Sequence, residues 1–207
     1  MEYDVRDLVS DVIYYLSTED TYNVSSICKK YNRLIYYITQ ISYNNMKDIS
    51  SFFHLKVLNL SYNHYIKKIN HLTNLTELNL SNNHQISKIS KLTELLCLNL
   101  DQNNTVCHIG TLTNLRSLSL YRNKGISHID NITNLTSLDL FRNKLIGSIS
   151  SLINLTNLSI VNSCIHDISH LTNLKTLELA HESDVIKLPP QKIEITYALE
   201  TVGPSPI

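Results

Sequence analysis

The chain of 207 residues has no tryptophan, only four glycines, four prolines, four cysteines and two methionines, and no net formal charge at neutral pH. Each shortage removes a class of function. There is no glycine-framed nucleophile and no local turn of the kind that builds an oxyanion site, so a catalytic triad has no support and an enzyme is not expected. Zero net charge argues against general electrostatic binding to nucleic acid. No apolar run approaches the roughly 18 residues that suggest a membrane span, and MEYDVRDLVSDVIYY carries acids where a signal peptide carries a basic region. The expectation is an intracellular, cytoplasmic protein without a membrane partner. Cys28, Cys97, Cys107 and Cys164 sit at unrelated positions, which fits reduced thiols better than a disulfide framework. Cys107-His108 and Cys164-Ile165-His166 come nearest to ligand clusters, but they differ in repeat position, so exposed histidines and buried cysteines are expected, with no metal and no cofactor.

What the chain does contain is a period. Leu55, Leu75, Leu95, Leu115, Leu135 and Leu155 are spaced by twenty, and so are the columns that begin at Leu58 and Leu60. Asn63, Asn83, Asn103, Asn123 and Asn143 follow three places behind, and isoleucine or valine columns close each unit as LxxLxLxxNxxIxxIxxLxx. A fixed period of this length identifies a stacked architecture before any residue is interpreted singly. In LxL both leucines leave a short strand on the same side, so the residue between them faces the other way. No unit buries its apolar edge alone, and stability comes from stacking. The asparagines are expected to form a buried ladder that satisfies backbone groups where each strand turns away.

The core LxxLxLxxN, matched five times without a gap, resembles the leucine-rich repeat. The resemblance covers roughly residues 52–180. It implies an α/β repeat solenoid with a parallel sheet on the concave face. Because the apolar residue comes three places after the Asn in a short repeat, the convex side is expected to be extended or 3₁₀-like. A fainter unit precedes, with Ile35, Ile38, Met46, Ile49 and Phe52 in phase although Gln40 and Tyr43 break it. A later unit has lost one residue after Asn162. The expected organisation is a helical segment or cap over 1–34, repeats over 35–188, and a C-terminal cap strand and tail over 189–207, with KIEITYALE as a last edge strand.

Before the repeats, Val5, Leu8, Val9, Val12, Ile13 and Leu16, then Val24, Ile27, Cys28, Tyr31, Leu34 and Ile35, fall at helical spacing. Ser17 to Asp20 has a capping-box-like form between them. DVRDLVSDVIYYLSTEDTYNVSSICKKYNRLI is similar to an F-box, with Leu16, the Ser17 to Asp20 link, Ile27-Cys28-Lys29, Tyr31 and Leu34 at matching places. Asp4-Val5 stands where that family has Leu-Pro. The resemblance implies docking of a cullin-type ubiquitin-ligase adaptor through Leu8, Val12, Leu16, Ile27, Tyr31 and Leu34, with the repeats holding a protein target. The competing reading is a plain repeat scaffold whose head only caps the solenoid.

A binding face is read from the variable positions of the strands. Glu77, Asp101 and Asp139 stand among small polar neighbours, while Tyr121-Arg122 and Phe141-Arg142 are one repeat apart and so fall on adjacent strands. Aromatics and arginine dominate interface hot spots, which makes this patch the expected centre of a protein-binding surface. The bland alternative is that the two rings merely cover strand ends. Many Asn-x-Ser/Thr sequons, such as Asn74-Leu75-Thr76 and Asn134-Leu135-Thr136, arise from the repeat consensus and are read as coincidence.

Overall fold

The computed structural model describes residues 40–42, 49–50, 52–180 and 186–198. Among the described residues nine short strands form one parallel sheet in chain order: β1 Gln40–Ser42, β2 Val57–Asn59, β3 Glu77–Asn79, β4 Cys97–Asn99, β5 Ser117–Ser119, β6 Ser137–Asp139, β7 Asn157–Ser159, β8 Thr176–Leu179 and β9 Glu194–Tyr197. Register between neighbours from β2 to β7 is a plain step of twenty, so Leu58, Leu78, Leu98, Leu118, Leu138 and Leu158 stand in one row. They are buried, as are the leucine, isoleucine and valine columns that follow them round each coil. Each fully buried leucine contributes about 2 kcal/mol, and only stacking removes both of its flanks from water.

The first unit departs from the twenty-residue phase. Ile41, not Ile38, pairs with Leu58, so the step from β1 to β2 is shorter than the step between later strands. Its cause is visible in the sequence, since Gln40 stands where the strict phase requires an apolar residue. At the other end, Leu158 pairs with Leu177 and Leu177 with Ile195, each step shortened as the consensus decays. Gln191 closes the last coil by donating from Nε2 to the carbonyls of Leu171 and Leu174.

Between strands the chain runs through tight turns and extended pieces, with no helix among the described residues. In each coil an N–H returns to the carbonyl three residues back, as from Asn63 to Leu60, Leu72 to Ile69 and Leu75 to Leu72. The residue before each ladder asparagine adopts a left-handed backbone: Tyr62, Asn82, Gln102, Arg122 and Arg142, with Asn162 at the corresponding place. Asparagine tolerates this conformation and arginine does not readily, at a cost of roughly 1–2 kcal/mol. The helices expected over residues 1–34, with Leu8, Val12, Leu16, Ile27, Tyr31 and Leu34, lie outside the described residues.

The asparagine column is the internal brace. Asn63, Asn83, Asn103, Asn123 and Asn143 are buried polar side chains. In each, Oδ1 accepts from the backbone two and three residues on, as Asn103 does from Thr105 and Val106 at 3.1 and 3.0 Å. From Asn83 to Asn143, Nδ2 also donates backwards to two carbonyls of the preceding coil, for Asn103 those of Leu80 and Asn83 at 3.1 and 2.6 Å. One side chain thus satisfies two donors and two acceptors that stacking would otherwise strand in an apolar core. Ser163 takes the next ladder position; it accepts from the Ile165 N–H at 3.2 Å but has no amide with which to reach back.

Two glycines make a controlled test of the convex packing. A Cβ on Gly125 would lie 2.5 Å from the carbonyl oxygen of Val106, whereas one on Gly147 would meet nothing within 4 Å. Gly125→Ala is expected to lose about 1–3 kcal/mol because backbone must move. Gly147→Ala is expected to be neutral or to gain up to about 1 kcal/mol through the unfolded chain. Equal denaturant midpoints for the two variants would contradict this packing.

Candidate protein-binding surface

The outward positions of the strands line an open groove. Its first half, about 370 Å³, is formed by Val57, Glu77, Cys97 and Ser117 with Asn59, Asn79 and Asn99. The groove is less free than the sequence implies, because much of its polar lining is already committed. Asn59, Asn79 and Asn99 each accept through Oδ1 from the N–H two residues on, closing the strand end. The three described cysteines are exposed rather than buried. Partial burial, then Glu77, pushes the Cys97 thiol up, away from the reactive thiolate.

At β5 the pattern changes, and the change builds the aromatic patch. Ser119 replaces the asparagine and is too short to hold the strand end, so Asp101 of the previous coil reaches across. Its Oδ1 accepts from the Tyr121 N–H at 2.9 Å and from Ser119 Oγ at 2.5 Å, while Oδ2 accepts from Asn99 Nδ2 at 3.1 Å. Asp139 accepts from the Phe141 N–H at 2.7 Å. Asp101 and Asp139 therefore hold the two aromatic residues by their backbones.

The rings of Tyr121 and Phe141 meet edge to face, 5.4 Å apart and inclined at 68°. Arg122 lies over the Tyr121 ring at 5.2 Å and Arg142 over the Phe141 ring at 5.5 Å. Both rings are half-buried, Arg122 is exposed and Arg142 partly so. The predicted patch is thus one stacked unit of four side chains. Glu77 lies apart from it, in the first half of the groove.

Burial pushes the Asp139 carboxyl above the usual aspartate range; Asp101 and Glu178 push the same way, opposed by hydrogen bonds from Phe141 and Ser119. A raised value means that the folded state holds the proton more tightly than the unfolded chain. The associated stability is present at low pH and lost as pH rises through the folded value. Asp139→Asn keeps an acceptor for Phe141 and removes the buried charge, so its Tm is expected to exceed that of the wild type at pH 7. The difference should shrink below 3.8, the ordinary aspartate value. Thermal melts at the two pH values check the sign, and a lower Tm for the variant at pH 7 would oppose it.

Sequence reasoning missed a further ladder on the rim where the strands begin. Asn74, Asn114, Asn134 and Asn154 donate from Nδ2 to the carbonyls of Phe53, Thr93, Thr113 and Thr133. Thr76 and Thr136 donate to the carbonyls of Lys56 and Arg116. The sequons at Asn74 and Asn134 are therefore structural, with the amide nitrogen a glycan would need already bonded. Their recurrence was the available signal. His166 hydrogen-bonds the Cys164 carbonyl rather than forming a ligand cluster, and no group of three or more metal-ligating side chains occurs among the described residues. No helix among those residues is long and apolar enough to cross a membrane.

Parallel sheet, twenty-residue coils and buried asparagine ladder define a solenoid of the leucine-rich-repeat type. Its structural neighbours are internalins. Internalin C2 of Listeria monocytogenes is 26% identical, with a TM-score of 0.54, over 70% of this chain and 74% of that one. The functional domain of InlJ from the same organism, described as including a cysteine ladder, is 23% identical, with a TM-score of 0.45, over 70% of this chain and 40% of that one. No family model and no curated protein matches the chain.

Proposed function

We propose that the chain is a non-enzymatic protein-interaction scaffold whose concave face holds a protein target. The observation that carries this reading is the Tyr121–Phe141 pair, backed by Arg122 and Arg142 and fixed from behind by Asp101 and Asp139. Preorganised aromatic and guanidinium groups lose little freedom on association, which is what a hot spot requires. Likeness to internalin C2 supports the scaffold architecture. The ligase-receptor reading rests on the F-box-like residues alone and gains nothing from the described residues or the comparisons, so the plain scaffold takes precedence. Capture of proteins from a lysate of the source by the intact chain, with and without Tyr121→Ala and Phe141→Ala, tests the surface. An unchanged set of captured proteins would overturn it. Capture of the ubiquitin-ligase adaptor by the intact chain, lost when residues 1–34 are removed, would restore the ligase role.

A further inference from the structure

The outward positions of β2 to β9 hold Glu77, Asp139, Glu178 and Glu194 and no lysine, arginine or histidine. Acids gather in the second half of the groove. Register sets Asp139, Ser159 and Glu178 side by side on β6, β7 and β8, all partly buried, and Asp101 stands just beyond β4. Asp101 Oδ1 and Asp139 Oδ2 both face the Ser119 hydroxyl, at 2.5 and 3.4 Å. A hydroxyl carries one proton, so Ser119 cannot compensate both carboxylates at once.

Nothing else among the described residues completes this row. The ion pair there is Lys187 with Asp167, so Asp101, Asp139 and Glu178 are without a cation, and the Glu178 carboxylate accepts no hydrogen bond. Arg122 and Arg142 lie over the rings beyond the strand ends, and Lys175 precedes β8 on the rim where the strands begin. A second, independent observation falls at the same place. Ser159 Oγ, between Asp139 and Glu178, is buried and has no hydrogen-bond partner. An unpaired buried hydroxyl and like charges held side by side are each unfavourable until an outside group answers them.

We propose that the target held on the concave face presents a basic polypeptide segment, with one arginine side chain seated between Asp139 and Glu178 against Ser159. The proposal rests on the reading of that face as the target surface and names the chemistry of the partner. Phosphates of a nucleic acid or of an anionic bilayer would meet carboxylates here and be repelled. A metal ion needs ligands that converge on one point, and no group of three or more metal-ligating side chains occurs among the described residues. Carboxylates spread over several strands instead suit cations spread along one chain. Arginine fits the seat better than lysine, because its rigid fork of five donors answers a carboxylate oxygen and a neighbouring hydroxyl together.

The test is fluorescence anisotropy of a labelled octa-arginine peptide titrated with the full chain at about 0.15 M salt. Saturable binding is expected, tighter than that of octa-lysine. Asp139→Asn with Glu178→Gln should lower affinity by about tenfold or more. Glu94→Gln with Asp130→Asn removes as much charge from exposed positions outside the groove and should retain it. Asparagine at 139 keeps an acceptor for the Phe141 N–H, and the Glu178 carboxylate makes no bond, so circular dichroism should be unchanged. Absence of saturable binding, equal losses in the two double variants, tighter binding of octa-lysine, or full displacement of the peptide by equimolar spermine would overturn the proposal. Failure of the peptide beside a target capture that still depends on Tyr121 and Phe141 would remove the basic partner and leave the concave surface standing. Peptide binding through Asp139 and Glu178 beside a capture indifferent to the rings would keep the acidic seat and remove the rings from the surface.

Discussion

Asn103→Leu is expected to cost on the order of 4 kcal/mol, enough to remove much of the stability of a domain that holds only about 5–15 kcal/mol in total. Leucine has the same branched skeleton, with two methyl groups in place of the amide oxygen and nitrogen, so the loss is chiefly one of hydrogen bonds. The N–H groups of Thr105 and Val106 lose an acceptor, and the carbonyls of Leu80 and Asn83 lose a donor. Each buried group left unpaired costs about 1–3 kcal/mol, and partial relaxation keeps the total below the full sum. Asn103→Asp is the sharper control: it restores the acceptor but turns an oxygen toward the two carbonyls, so it should rescue little at neutral pH. Chemical denaturation of the three proteins decides the matter. An Asn103→Leu variant within 1 kcal/mol of wild type, on the scale of a single ordinary hydrogen bond, would show that the ladder is ornamental.

Loss of both rings is expected to weaken the target complex by roughly 2–4 kcal/mol, or about 30- to 1000-fold, with little change in folding stability. The rings touch edge to face, so their contributions should couple. Tyr121→Ala and Phe141→Ala measured singly and together against the captured target should give a non-additive term of about 0.5–1.5 kcal/mol. Additive losses would mean that the rings contact the partner independently. Asp101→Ala extends the same experiment from a residue that holds the Tyr121 backbone. Its effect should fall on affinity through misplacement of the ring.

The leucine rows and the asparagine ladder were legible because each depends on one column repeating at one step. The aromatic patch was legible for the same reason: twenty residues separate Tyr121 from Phe141, and register does the rest. Where a function passes between columns, the pattern conceals it. Asp101 was expected to face a partner, yet it repairs the strand end that Ser119 cannot hold. That substitution can be seen in the sequence, but the repair crosses to the next coil and needs coordinates. The rim asparagines are visible as sequons that the consensus produces; their bonds explain why it does. In the first unit, counting in twenties aligned Ile38 with Leu58, whereas the sheet pairs Ile41 there. The pairing of strands decided that register, and the spacing of isolated apolar residues did not.

Each ladder asparagine asks only that the coil before it present two carbonyls, as Leu80 and Asn83 do for Asn103. A coil so defined is interchangeable with its neighbours. Duplicating residues 81–100 in frame would therefore lengthen the molecule without demanding a new kind of interface, while an extra nineteen or twenty-one residues would leave one amide facing the wrong carbonyls. Such a chain can change its reach by copying whole units and then vary the copied strand surface at leisure.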